Sequence, residues 1–385
     1  MNYKFPLIES IYDVLPHIKG RDEFRVTDKG DYTVINYMVN FEETFKWNED
    51  DALGCAIRRE CRGLAFDTEG EIISRPYHKF FNVNEKEETK IDKIDLTHSH
   101  VVLEKLDGYM IRTLPLNGSF RLGTRAGITD VSENAEAFIA DKPQYTTFIN
   151  ECAKKGATPI FEWCSRKNRI VIDYPEDQLI LTGIRYQWSG TYLHYKIMVN
   201  YANAWNIPVI KAIAGGEKNL QNIVDHIRTW HDSEGVIIRF NYDGHMLKIK
   251  ADDYCLKHTT KDSISFEKNV IQVILNDGVD DLIPLLTEND AQRLLDFQKA
   301  FWLSIDEVAL DIHGMYMEGY KIESQKDFAT QFITKYPQKY APFLYGMRKG
   351  MNLKDMLKES IGKSLSTQTK VDEARWMFGD IRWNT

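Results

Sequence analysis

Several things are scarce in this 385-residue chain, and each scarcity removes a class of protein. Its five cysteines (Cys55, Cys61, Cys152, Cys164 and Cys255) form no C-x-x-C pair, and an odd number cannot all pair within the chain. Reduced thiols of a cytosolic protein fit this usage; a disulfide scaffold or a zinc site does not. No apolar run is long enough to span a membrane, and the start Met1-Asn2-Tyr3-Lys4-Phe5-Pro6 lacks the apolar stretch of a signal peptide. Excess positive charge is missing too. Lys and Arg number 49 against 57 Asp and Glu, for a net charge of −8. That balance excludes non-specific wrapping of nucleic acid but permits a local basic groove. Internal repeats and low-complexity tracts are absent. What remains, 43% hydrophobic and 28% charged, is an ordinary globular composition on a chain long enough for two domains.

The stretch Val101-Val102-Leu103-Glu104-Lys105-Leu106-Asp107-Gly108 stands out. A β-branched run delivers one lysine to the lip of a strand, and an Asp-Gly turn follows. The pattern K-x-D-G is short and common by chance, so its meaning depends on other residues. A free lysine with pKa near 10.4 is deprotonated in about one molecule in a thousand near pH 7.4, a deficit of about 4 kcal/mol. A nucleophilic Lys105 therefore needs desolvation, neighbouring cations or a metal.

Candidates for that company recur along the chain. Met246-Leu247-Lys248-Ile249-Lys250 reads as a strand with both lysines on one face and the apolar residues on the other. Alone, this also suits a solvated strand face. Glu162 lies between Phe161 and Trp163, where a carboxylate wants a hydroxyl, cation or metal partner. Glu234 opens a strand beside Gly235. Either glutamate could hold a hydrated Mg²⁺; each alone equally suits an ion pair. Ser74-Arg75-Pro76-Tyr77-His78-Lys79-Phe80-Phe81-Asn82 mixes cations with aromatics. It reads either as a loop that plugs a core while its cations stay wet, or as an edge that holds phosphates and stacks on a purine.

The remaining pattern is α+β. Short helices are expected at Leu7 to Leu15, Ser132 to Lys155 and Asn219 to Trp230. Strands are expected at Tyr32 to Val39, Pro159 to Cys164, Ile170 to Tyr174, Gln178 to Tyr186 and Thr191 to Tyr195, and Glu60 to Phe66 reads as a turn entering a strand. Two hairpins turn at Asn117-Gly118 and Asp243-Gly244. Phe41 to Asp51 reads as an acidic, solvated loop. From about Asp252 the period changes to that of helices, with Thr287 and Ser324 as caps.

A lysine at a strand–turn, a shielded glutamate, an E-G strand and a paired-lysine strand, in that order, resemble the covalent nucleotidyltransferases. These are the ATP-dependent ligases and the messenger-RNA capping enzymes. Glu60-Cys61-Arg62-Gly63, Ser74 to Asn82, the strand at Tyr37 and the helical tail further resemble the phage RNA ligase 1 family.

The resemblance implies a nucleotidyltransferase domain of antiparallel sheets with flanking helices over residues 1–254, and an all-helical RNA-specificity domain over 255–385. It implies ATP-dependent joining of RNA 5′-phosphate and 3′-hydroxyl ends, through lysyl-AMP and RNA-adenylate, with Mg²⁺ or Mn²⁺. Broken tRNA anticodon loops are the implied substrates of a cytoplasmic monomer, in host cytoplasm if phage-encoded, with no membrane partner.

By position, Lys105 becomes the adenylated nucleophile in a pocket shaped by Asp107 and Gly108. Glu162 falls near ribose and metal, and Glu234 at the metal. Lys248 would touch the α-phosphate, with Lys250 beside it. Arg62 and Lys79 would orient the outgoing phosphates, and Tyr37 and Phe81 would line the nucleotide pocket. Arg125 takes a place where the family carries lysine. Asp280 and Asp281 resemble a spot linked to a second metal, although solvated surface charge is the favoured reading of both.

Two rivals differ in what they require. A DNA ligase or capping enzyme would place an OB-fold of short strands after residue 260. A catalytically idle RNA-binding protein would bind nucleotide without covalent label. In the tail, Lys335, Lys339, Arg348 and Lys349 with Tyr336 and Tyr340 are candidate RNA contacts, although amphipathic helices carry such residues for solubility as well.

Overall fold

The computed structural model describes residues 4–38, 43–213, 217–276 and 278–383. It divides into two compact units, Met1–Cys255 and Leu256–Thr385.

The first unit holds twelve strands among the described residues. The early ones are β1 (Phe24–Asp28), β2 (Thr33–Tyr37), β3 (Arg62–Phe66), β4 (Ile72–Ser74), β5 (Phe81–Asn82) and β6 (His100–Glu104). There follow β7 (Tyr109–Leu116), β8 (Ser119–Gly123), β9 (Ala157–Cys164), β10 (Gln178–Tyr186), β11 (Gly235–Phe240) and β12 (Met246–Lys250). They form three four-stranded sheets in the orders β1-β2-β3-β4, β10-β9-β7-β8 and β5-β12-β11-β6. All pairings are antiparallel except β5 with β12. Asn117 and Gly118 both have positive φ, 51° and 76°, as the two-residue turn joining β7 to β8 demands.

Period-two alternation sets what each sheet buries. Phe161 and Trp163 of β9 pack with Leu179 and Leu181 against the helices Pro143–Lys154 and Tyr195–Asn203, through Phe148, Ile149, Met198 and Ala202. Val236, Ile238, Leu247 and Ile249 pack against Leu220, Val224 and Ile227 of the helix Leu220–Arg228. The opposite faces of β9, β11 and β12 are thereby left for the cavity described below.

Several local expectations fail for identifiable reasons. The helix expected at Leu7 to Leu15 is only a turn at Ile11–Asp13 followed by Leu15–Ile18. The preceding backbone is spent elsewhere: Ile8 N–H donates to Trp188, and Glu9 C=O accepts from Ile72. Ile170 to Tyr174 is no strand, because the N–H groups of Val171 and Ile172 both donate to the Asp107 carboxylate at 2.7 Å. Thr191 to Tyr195 is not one either. Its last residue opens the helix Tyr195–Asn203, whose N-cap is His194. The expected acidic loop ends where the helix Ala52–Glu60 begins, but it is not wholly solvated, since Phe45 within it is buried. Val39, Asn40, Phe41 and Glu42 lie outside the described residues.

The second unit contains helices and no strand among its described residues. Its longest helix, Glu288–Gly319, starts where Thr287 Oγ1 accepts the Asp290 N–H. It buries Leu294, Phe297, Phe301, Ile305, Ala309 and Ile312 at three- and four-residue steps. Arg375 grips Glu267 with two nitrogens, at 2.9 and 2.7 Å, and Trp383 N–H donates to the same carboxylate. Among the described residues after 260 the elements are helices, with none of the short strands of an OB-fold. No helix among the described residues is long and apolar enough to cross a membrane.

Candidate active site

Lys105 leaves the end of β6 where its backbone N–H donates to Gly235 C=O at 2.9 Å. Two glycines let the surrounding backbones close in. A Cβ on Gly108 would meet the Trp163 carbonyl oxygen at 2.5 Å. One on Gly235, whose φ is +131°, would meet that of Ile249 at 2.0 Å. The lysine side chain points into a cavity of about 240 Å³, lined by Tyr37, Arg62, Lys79, Glu162, Lys248 and Lys250 among others.

Charge in this cavity is unbalanced. Glu234 is nearly buried and divides its two oxygens between Lys105 Nζ at 2.6 Å and Lys250 Nζ at 3.0 Å. Lys248 makes no ion pair among the described residues. Burial, and then the charges of Lys79, Lys105 and Lys250, lower its pKa to about 7. Glu162 is half-buried, with no hydrogen bond or ion pair among the described residues. Burial pushes its pKa up to about 7, with Lys105 pulling down and Glu234 pushing up.

Lys79 sits among the rings of Tyr37, Phe81 and Phe45 at 5.4 to 5.6 Å. Burial holds its pKa below the usual lysine value. Arg125 lies over the other part of the cage, 4.6 Å from the Tyr37 ring. Burial alone would raise the Tyr37 phenol, but Arg62, Lys79 and Arg125 together lower it.

Other expected site residues stand back from the cavity. Phe81 is buried beneath Lys79 and Arg59 and does not line it; its neighbour Phe80 does. Asp107 is also buried. One oxygen accepts the N–H groups of Val171 and Ile172, and the other accepts the Tyr254 hydroxyl at 2.7 Å. It braces the turn after Lys105 rather than facing a ligand. Asp280 and Asp281 are exposed in the short helix Val279–Leu282 of the second unit.

Arg75, read from sequence as a wet or phosphate-facing cation, is neither. It is wholly buried and paired through Nε to Glu60 at 3.1 Å. Cavity residues that sequence reasoning passed over are Thr182, Ile210, Arg239 and Met246, while Tyr77 comes from the stretch read as a possible purine-stacking edge. The alternation of β11 carried a usable signal for one of them, since Arg239 falls on the same face as Ile237.

The donor set suits a hard divalent cation. Glu162 offers carboxylate oxygens without a partner among the described residues, and Glu234 offers oxygens now held by ammonium groups. No group of three or more His, Cys, Asp or Glu side chains able to hold a metal occurs among the described residues. Two carboxylates completed by water and phosphate oxygens match the habits of Mg²⁺ better than those of a closed structural site.

One carboxylate is shared by two lysines, with Arg62, Lys79 and Lys248 converging on the same space, so the site is lysine-centred and cationic. A sequence model described as RNA ligase matches residues 60–257, and the chain belongs to that family. A candidate RNA ligase of Thermovibrio ammonificans is 26% identical over 335 residues, covering 81% of this chain and 83% of that protein. RNA ligase 1 of bacteriophage TS2126 is 28% identical over 158 residues, 39% of this chain and 40% of its own. Among solved structures, an archaeal ATP-dependent RNA ligase aligns over 94% of this chain and 84% of its own, at 13% identity and a TM-score of 0.44.

Proposed function

We propose that this RNA ligase joins RNA ends with ATP through a covalent AMP on Lys105. The supporting observation is the sharing of Glu234 between Lys105 and Lys250 inside a cavity otherwise dominated by cations. Lys105 gives up its Glu234 pair and one proton, and its nitrogen attacks the α-phosphorus of ATP. The bond to pyrophosphate breaks and a phosphoramidate forms. An RNA 5′-phosphate oxygen then attacks that phosphorus and the P–N bond breaks. Finally an RNA 3′-hydroxyl attacks the 5′-phosphorus and AMP leaves. Each step is an in-line displacement, so positioning and charge neutralisation carry the rate.

Lys248 contacts the α-phosphate in this reading, because a lysine whose pKa is brought to about 7 by burial and then by other lysines regains its charge beside an anion. Arg62 and Lys79 steady the outgoing phosphates, and the cage of aromatics keeps Lys79 from folding back onto the surface. Glu162 and Glu234 would hold Mg²⁺ or Mn²⁺, which neutralises charge on the leaving pyrophosphate. Asp107 and Gly108 act on geometry, the first through its three hydrogen bonds and the second through its missing Cβ.

The helical second unit selects the RNA, with cleaved tRNA anticodon loops as the substrates to test first, and the chain acts as a monomer. Lys339, stacked at 4.6 Å on Trp376, remains a candidate RNA contact. Arg348 is a weaker one, since its guanidinium already donates to the carbonyls of Ile322 and Glu323.

Incubation with α-labelled ATP and Mg²⁺ tests the chemistry. Acid-labile label on the wild-type chain, lost in Lys105→Ala, is the expected result. Equal labelling of Lys105→Ala would overturn it. Sealing of single-stranded, nicked-duplex and cleaved-tRNA substrates then distinguishes the RNA classes.

A further inference from the structure

One charged side chain of the cavity is left without a task. Arg239 is only 2% exposed, and among the described residues it makes no ion pair. Its Nη2 donates to Leu193 C=O at 3.3 Å, while its Nη1 is buried with no hydrogen-bond partner. A buried guanidinium donor without an acceptor is costly, and native structures retain few of them. Burial lowers its pKa, and only the phenols of Tyr77, Tyr192 and Tyr195 oppose that.

Its position is informative. The register of β11 and β12 places three pairs in succession on the cavity side: Gly235 with Lys250, Ile237 with Lys248, and Arg239 with Met246. Lys105 sits at the first level, because its N–H donates to Gly235. Arg239 is four residues further along, about 13 Å at the usual strand rise. The lysines draw the phosphates to the first two levels. The sugar and base are then left to run past Ile237 toward the wall made by Tyr77, Thr182, Ile210, Met246 and Arg239. That wall is apolar apart from two hydroxyls and this one guanidinium, which suits a heteroaromatic ring with acceptor nitrogens. Arg239 also lines a second cavity, of about 590 Å³, with Tyr192 and Tyr242, so it stands between the two.

We propose that Arg239 binds the base of the nucleotide, donating Nη1–H to an unprotonated ring nitrogen of the purine. The inference rests on the cavity being the ATP site. It makes Arg239 a determinant of base recognition, whereas the phosphates are held by lysines that cannot tell one base from another.

Covalent labelling by α-labelled ATP is compared with labelling by its 1-deaza, 3-deaza and 7-deaza analogues, in which one ring nitrogen at a time becomes C–H. In the wild-type chain one analogue should show a KM raised about ten- to a hundred-fold, the usual scale for losing a hydrogen bond from a charged donor. In Arg239→Met that penalty should vanish, with ATP and the analogue becoming equivalent. A purely structural role for Arg239 would lower labelling by all four nucleotides alike and leave their ratios intact. That result overturns the proposal, as does a wild-type chain indifferent to all three analogues. Should Arg239→Met fail to fold, Arg239→Lys must change the ratio of ATP to the penalised analogue, and an unchanged ratio overturns it. If the wild-type chain takes no label from ATP itself, the reading of the cavity as an ATP site falls, and the base contact with it.

Discussion

Among the described residues of the first unit, two buried carboxylates, Glu60 and Glu234, each serve two cations, and they do opposite things. Glu60 binds Arg75 at 3.1 Å and Arg185 at 2.8 Å, with all three side chains fully buried. Each remaining guanidinium nitrogen ends on a carbonyl: Arg75 on Pro6, Gln187 and Trp188, and Arg185 on Pro76 and Gly190. That trio is closed. Glu234 has the same two-to-one ratio with Lys105 and Lys250, but it sits at a cavity beside the unpaired Lys248 and three further lining cations. The rigid fork of arginine suits permanent satisfaction, whereas lysine on a flexible stem keeps its charge available. One arrangement fastens sheets together; the other is left short of negative charge, which a nucleotide would supply.

Replacing Glu60 should show the largest effect on stability. Glu60→Gln strands two buried guanidinium groups without a counter-charge, which typically costs about 3–5 kcal/mol. The midpoint of urea unfolding should fall accordingly, and a loss below about 1 kcal/mol would remove the contrast between the two clusters. Arg185 and Arg75 outweigh burial and hold the Glu60 pKa low. Its contribution is therefore present above the unfolded carboxylate pKa and is lost as pH drops through the lower folded value.

Lys248→Met should behave in the opposite sense. The folded pKa of Lys248, about 7, lies below its usual 10.5, so the unfolded chain binds the extra proton between those values. The penalty for keeping Lys248 folded is complete below pH 7 and gone above 10.5. Removing the charge should raise stability by about 1–3 kcal/mol at pH 6, after allowance for partial exposure, and by much less near pH 10.5. Covalent labelling should fall at the same time. A lower Tm of Lys248→Met at pH 6 would place Lys248 with the satisfied groups.

Glu162→Gln is the acidic counterpart. A folded pKa of about 7 against the ordinary 4.5 means that the folded chain holds the extra proton in that window. Stability gained by the amide should grow from pH 4.5 to 7 and then level off at about 1–2 kcal/mol. Equal thermal stability of the two proteins at pH 4 and pH 8 would contradict this. The smallest change expected is from Arg125→Lys. A cation over the exposed part of an aromatic cage is worth about 0.5–1 kcal/mol, so the KM for ATP should rise by less than about fivefold.

Legibility followed the range of the interactions. Period-two alternation was enough to put Lys248 and Lys250 on one face of β12 and to set Glu162 apart from its aromatic neighbours. The Asn117-Gly118 turn and the Thr287 cap are local chemistry and were readable as such. Long-range contacts were not. Nothing near Glu60 in sequence announces Arg75 and Arg185, and the hydrogen bonds that pull Val171 and Ile172 out of a strand come from Asp107, more than sixty residues away. Phe80 and Phe81 illustrate the same limit: adjacent aromatics on extended chain face opposite ways, and only the sheet decides which of them meets the cavity.

The ion pairs also raise a rival for the central assignment. Lys248 is the cavity lysine whose pKa falls to about 7, while Lys105 is held by Glu234 at 2.6 Å. Amine availability in the absence of nucleotide would favour Lys248 as the nucleophile, whereas the lip of β6 and the backbone contact with Gly235 favour Lys105. Peptide mapping by mass spectrometry after incubation with ATP and Mg²⁺ separates them. AMP on the peptide containing Lys105, with Lys248 unmodified, is the expected result; AMP on Lys248 would contradict it.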